Sequence, residues 1–130
     1  MTGVKIVVDS SAWIEYFKGS KEGARARSFI DGKNNTVLTP NIVSAEIVSK
    51  MKRLGENYEN GINAIKNLSI TPIENQDIYF EAGILHAEMR EKLGNISLAD
   101  AIIIIIAEKN NAKILTKDFH LKGKNTILLA

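Results

Sequence analysis

Apolar positions along the chain follow two different periods. Five short β-branched or aliphatic runs, at residues 4–8, 36–39, 69–73, 113–116 and 126–129, read as strands. The first and fourth show little alternation, as expected of strands buried on both faces of a parallel sheet. Between the runs the spacing becomes helical. Ile78, Ala82, Leu85, Met89 and Leu93 recur at steps of three and four, and Val43, Ile47, Met51 and Leu54 repeat the stripe. Thr39-Pro40 precedes that second stripe as a cap and first-turn pair. Residues 11–17, 22–30 and 58–68 read as three further helices.

Residues 97–108 contain five consecutive isoleucines, a local β signal. Ser97 and Asp100 nevertheless have the spacing of a capping box, with Asp in place of the longer Glu. A separate strand signal follows at Lys113, so the segment is predicted to be a helix, apolar all round and therefore buried. Strands alternating with helices imply an α/β fold with a mostly parallel sheet of about five strands. No internal repeat, low-complexity tract or Pro/Gly-rich linker divides the 130 residues, so a single domain over 1–130 is expected.

Composition narrows the chemistry. The chain has no cysteine, which excludes disulfides, Cys-ligated zinc, iron–sulfur clusters and thiol nucleophiles. No apolar run approaches the roughly 20 residues needed to cross a bilayer, and the start of the chain lacks the pattern of a signal peptide. A cytoplasmic protein without a membrane partner is expected. With 17 basic and 15 acidic residues the net charge is +2, too small to argue by itself for a nucleic-acid partner.

The placement of the acids says more. Asp9 ends the first strand run and Asp118 follows the fourth. In open parallel sheets ligand sites form beyond the carboxyl ends of the strands, at the topological switch point. If the two strands are neighbours, these acids converge; otherwise each merely begins a turn or caps a helix. Glu46 borders the apolar face of its helix, with a surface pair to Lys50 as the competing explanation. Asp100 lies in the first turn of the isoleucine helix, where the helix dipole alone would stabilise it. Gathered in one place, the four would repel one another unless a cation held them ionised. Hard oxygen donors select Mg²⁺ or Mn²⁺, and one or two such ions suit phosphodiester hydrolysis.

In order and spacing, the segments Val7-Val8-Asp9-Ser10-Ser11-Ala12-Trp13-Ile14, Ser44-Ala45-Glu46-Ile47, Ser97-Leu98-Ala99-Asp100-Ala101 and Leu115-Thr116-Lys117-Asp118-Phe119 closely resemble the motifs of PIN-domain proteins. Size and ordering look most like VapC-type toxins of type II toxin–antitoxin pairs. The resemblance covers essentially the whole chain. It implies a three-layer α/β/α fold and a Mg²⁺- or Mn²⁺-dependent endoribonuclease. It also implies an acidic, metal-holding site of Asp9, Glu46, Asp100 and Asp118. Ser11 and Thr116, with Ser10, would be supporting hydroxyls. A homodimer and a VapB-type antitoxin whose tail enters the groove are implied as partners.

Basic residues fall in two groups, and Lys18, Arg25, Lys50 and Arg53 are candidates to contact RNA phosphates, against the alternative of a solvated face. Trp13 and Phe17 read as core or dimer packing, Met51 and Met89 as core filler. His86 and His120 lack metal-ligand spacing. A housekeeping PIN nuclease and a non-catalytic α/β module remain as competing readings. A phosphoaspartate receiver lacks its acceptor, since Ile73-Glu74-Asn75 follows the third run, and a haloacid-dehalogenase phosphatase would need an acid where Ser11 stands. If four of the 15 acids share one site, the other 11 face 17 basic residues, so a moderately basic shell would surround an acidic centre.

Overall fold

Isoleucine, valine and leucine at the strand positions assemble a parallel sheet ordered β2-β1-β3-β4. In the computed structural model, which describes residues 3–118, Leu121 and 125–129 and only the backbone of Leu93, β1 spans Lys5–Val8. It lies between β2 (Thr36–Leu38) and β3 (Lys113–Thr116), with Ile6 opposite Val37 and Val8 opposite Leu115. Beyond β3 lies β4 (Thr126–Leu128). Ile6, Val7 and Val8 are all fully buried. Successive residues of a strand face opposite sides, so both faces of β1 are covered. Six helices provide the cover: α1 (Ser10–Lys18), α2 (Lys21–Ile30), α3 (Asn41–Arg53), α4 (Tyr58–Leu68), α5 (Gln76–Leu93) and α6 (Leu98–Lys109). Phe119 and His120 lie outside the described residues.

The expected α/β architecture is present, with one difference in the sheet. Among the described residues there are four strands instead of about five, because the run 69–73 forms only a single parallel bridge, Ile70 to Leu38. Thr39 N donates to Ile70 O and Ile70 N to Val37 O, and the ladder stops there. Pro72 has no N–H to extend it, and the side chains of Ile70 and Ile73 stand exposed with no face to bury.

The isoleucine segment is a helix. Ser97 Oγ accepts from Asp100 N at 3.0 Å, and Asp100 Oδ2 accepts from Ser97 N at 3.2 Å, closing both arms of the capping box. Ile102, Ile103, Ile105 and Ile106 are buried because α6 packs on α5 and on β1 and β3. Burial on several sides outweighs a local β preference, which is small by comparison.

Thr39 has another task than the expected cap. The N-cap of α3 is Pro40, and the Thr39 hydroxyl accepts from Trp13 Nε1 at 3.1 Å while donating to Ser69 Oγ at 2.8 Å. The first turn of α3 is capped from a distance, by Glu74 Oε2 accepting from Asn41 N at 2.8 Å. Trp13 is fully buried and stacks on Phe17 at 5.6 Å, which makes it core. Met51 is buried and Met89 half-buried. α1 ends at Gly19, whose φ of +69° favours glycine. After Ser20, α2 begins against α1 so closely that a Cβ on Gly23 would meet the Glu15 carbonyl at 2.1 Å. No described helix is long and apolar enough to cross a membrane.

Candidate active site

The strand order places the switch point between β1 and β3, and the carboxyl ends of these two strands supply the centre of the site. Asp9 N donates to Leu115 O at 3.0 Å, continuing the ladder by one step. Asp9 occupies the N-cap position of α1, yet its carboxylate makes no capping bond to the helix. Instead its Oδ2 accepts from Ser11 Oγ at 2.8 Å and from Thr116 Oγ1 at 2.7 Å. The two hydroxyls are themselves 3.2 Å apart. Lys117 N donates to Ser11 Oγ and Asp118 N to Thr116 Oγ1, both at 2.9 Å. Thr116 is fully buried, so this network joins two chain segments more than a hundred residues apart in a dry setting.

Three acids share this region electrostatically. Burial pushes the Asp9 carboxyl up from its ordinary value, against the opposing hydrogen bonds of Thr116, Ser11 and the Ser10 backbone, and the charge of Asp100 adds to the rise. Glu46 is also raised, first because its carboxyl is drawn partly out of water, then by the charges of Asp9 and Asp100. The Ser10 hydroxyl bonds to it and opposes that rise. Among the described residues none of Asp9, Glu46 and Asp100 has a cationic ion-pair partner, and the surface pair of Glu46 with Lys50 does not form. Asp118 follows β3 on the same network through its backbone.

Each of the three supporting hydroxyls expected from the sequence thus touches an acid: Ser11 and Thr116 bond to Asp9, and Ser10 to Glu46. Among the described residues no three acidic or histidine side chains form a preassembled metal cage. The donor set still suits a hard divalent cation, because burial and neighbouring acids raise Asp9 and Glu46, and neither forms an ion pair among the described residues. His86 is no part of this, its Nε2 lying 3.1 Å from Ile96 O.

An open pocket of about 480 Å³ adjoins the acids, lined by Ser10, Ser11, Glu46, Ser49, Lys50 and Arg53 among others. Two of the four basic candidates are therefore beside Glu46. The other two are engaged elsewhere. Lys18 Nζ is 3.5 Å from Glu15 Oε2, and Arg25 donates to Leu128 O at 2.6 Å.

Glu15 escaped the sequence reading. It is buried on α1, accepts from Ser20 Oγ at 2.7 Å and pairs with Lys117 as well as Lys18. The Ser20 hydroxyl first, then the two lysines, hold its carboxyl below the usual range. Its one sequence signal is its place in the stripe: Glu15 is four residues from Ser11, on the side of α1 that reaches the site.

Comparison with known proteins gives concordant results. The model of the PIN-domain family matches residues 6–125. A toxin–antitoxin complex from Klebsiella pneumoniae superposes with a TM-score of 0.74 at 17% identity, covering 96% of this chain and 98% of that one. VapBC2 from Rickettsia felis, bound to a fragment of its promoter DNA, gives 0.72 at 19% identity over 96% and 97%. VapC20 from Mycobacterium tuberculosis, a toxin that cleaves the sarcin–ricin loop, gives 0.67 at 22% identity over 88% of each chain. A comparison with curated proteins gives no match. At these identities the solved structures establish a shared fold, and the family model, spanning nearly the whole sequence, establishes more: the chain belongs to the PIN-domain family.

Proposed function

We propose that this protein is a divalent-metal-dependent endoribonuclease, the toxin of a type II toxin–antitoxin pair. The observation that carries the reading is that Glu46 feels the charges of Asp9 and Asp100, and Asp9 that of Asp100, at the sheet's switch point, with no ion pair to any of the three among the described residues. Such an arrangement is costly for a merely structural role and useful for holding a cation. Asp9, Glu46, Asp100 and Asp118 would hold one or two Mg²⁺ or Mn²⁺ ions, directly or through water. A bound ion supplies positive charge to the scissile phosphate and lowers the pKa of a water molecule.

The chain's own residues do the positioning. Ser11 and Thr116 fix Asp9 Oδ2 from two sides. The capping box fixes Asp100 at the start of α6 through its Oδ2. Ser10 restrains Glu46 across the open pocket, and Lys50 and Arg53 on the same wall suit the phosphates of an entering strand. Toxin identity is supported by the names of the structural neighbours, which belong to VapBC systems. A VapB-type antitoxin and a second copy of the chain are the partners of this reading. Phe80 and Ile84, exposed one turn apart on α5, are apolar side chains available to such contacts.

The test is cleavage of single-stranded and structured RNA by the purified chain with Mg²⁺ or Mn²⁺, beside EDTA. Cleavage should stop with EDTA and with Asp9→Asn or Asp100→Asn. Activity that survives both substitutions would overturn the site. Growth arrest on expression, relieved by a co-expressed neighbouring reading frame, separates a toxin from a housekeeping nuclease.

A further inference from the structure

A second pocket, of about 440 Å³, is lined by Lys21, Glu22, Arg25, Lys117 and Leu129. Hydrogen bonds link it to the acidic centre. The Lys117 backbone bonds to Ser11, which bonds to Asp9, while the Lys117 side chain lies 3.5 Å from Glu15 and borders the pocket. Leu129 N donates to Thr116 O at 2.8 Å, so the apolar wall is anchored to the same strand end.

Two features mark this pocket as a place for a ligand. Among the described lining residues Lys21, Arg25 and Lys117 stand around one carboxylate, Glu22. Lys117 also pairs with Glu15 and Arg25 donates to Leu128 O, while Lys21 has no ion pair among the described residues. In addition, Glu22 Oε2 is buried and has no hydrogen-bond partner among the described residues. The position of Glu22 in the first turn of α2 explains a carboxylate there through the helix dipole. It does not explain why one oxygen is withdrawn from water without a donor. A ligand carrying both a phosphate and an N–H or O–H donor answers both features, and a nucleotide unit of RNA carries both.

We propose that this pocket is a nucleotide subsite for the RNA strand beside the scissile bond. Lys21 and Lys117 take a backbone phosphate. Glu22 Oε2 takes a donor from the same nucleotide, the ribose 2′-hydroxyl or a base N–H. Lys50 and Arg53 line the first pocket beside Glu46, so basic side chains border both pockets. The inference rests on the ribonuclease reading and adds to it where the substrate lies and which contact distinguishes it.

The experiment is fluorescence anisotropy of the full chain in EDTA, with labelled single-stranded oligonucleotides of each base as RNA and as DNA, at several salt concentrations. Lys21 is exposed and in no ion pair among the described residues, so Lys21→Gln should leave the fold unchanged. It should weaken RNA binding and lower the salt slope by about 0.7, the value for one phosphate contact on a single strand. Glu22→Ala removes a negative charge, so DNA binding should hold or strengthen. A loss of preference for RNA over DNA identifies the 2′-hydroxyl as the donor, and a loss of preference among bases identifies a base N–H. An unchanged salt slope in Lys21→Gln, or both preferences unchanged in Glu22→Ala, overturns the subsite while leaving the nuclease reading intact. No RNA binding by the unaltered chain overturns the subsite, while the nuclease reading stands or falls on the cleavage assay.

Discussion

Replacing Thr116 by valine tests whether the hydroxyl network holds a carboxylate or only fills space. Valine keeps the shape of the fully buried side chain and removes one oxygen. That oxygen donates to Asp9 Oδ2 at 2.7 Å, accepts from Asp118 N at 2.9 Å and lies 3.2 Å from Ser11 Oγ. A buried hydrogen bond to an ionised group is worth about 1.5–3 kcal/mol, and Asp9 keeps its bond from Ser11. A loss of about 2 kcal/mol at neutral pH follows, or roughly 6–10 °C in Tm for a domain of this size. The sign of the pH dependence makes the test sharper. The folded pKa of Asp9 is raised above its ordinary value, so ionising Asp9 costs stability as pH rises through the folded pKa. Thr116 opposes that cost, and Thr116→Val raises the pKa further. The difference between variant and parent should therefore be smaller near pH 4, where the lost acceptor of Asp118 N still counts, and larger at pH 8. Urea unfolding in EDTA at these two pH values measures it, with Thr116→Ser as the hydroxyl-retaining control. An equal penalty at both pH values would refute the account.

Glu46→Gln should stabilise the metal-free protein at neutral pH, because the carboxyl is raised by lost hydration and by Asp9 and Asp100. The gain should vanish below the ordinary carboxylate range, where Glu46 is protonated in both states, and thermal scans at pH 4 and pH 7.5 would show it. Mg²⁺ or Mn²⁺ should raise Tm in proportion to the logarithm of its concentration above Kd, and Asp9→Asn should abolish the rise. A rise of the same size in Asp9→Asn would move the cation elsewhere. Ser97→Ala removes one arm of the capping box at α6 and should cost about 1 kcal/mol in chemical denaturation. Ile103→Ala, at a fully buried position, should cost about 2–5 kcal/mol in the same assay, and a cost below 1 kcal/mol would contradict the packing of α6.

The elements were legible because their signals are local. The stripes over 43–54 and 78–93 name their helices, and Ser97 with Asp100 fixes the start of α6 despite five isoleucines. The run 69–73 misled for a local reason too: its composition is β-like, but a strand needs a partner along its length, and Pro72 and exposed Ile73 deny it one. Thr39 has the composition of a cap, yet buried Trp13 requires an acceptor for its indole N–H, and that demand claims the hydroxyl. Glu15 gave little signal because an acid beside Lys18 at i+3 looks like a surface pair. Its burial comes from the close approach of α2 at Gly23.

By itself the sequence determined which residues can bear charge and where each stands in its element: Asp9 and Asp118 beyond strand ends, Glu46 on a helix border, Asp100 in a first turn. Periodicity, caps and residue chemistry are properties of neighbours along the chain, and they survive without a fold. Only the tertiary structure decided that β1 lies against β3, which brings Ser11 and Thr116 onto one oxygen of Asp9. It also decided that Lys50 and Arg53 stand beside Glu46 while Lys18 and Arg25 are engaged elsewhere. Strand order and helix docking set the distances between groups a hundred residues apart, and those distances fix the hydration and repulsion each acid experiences.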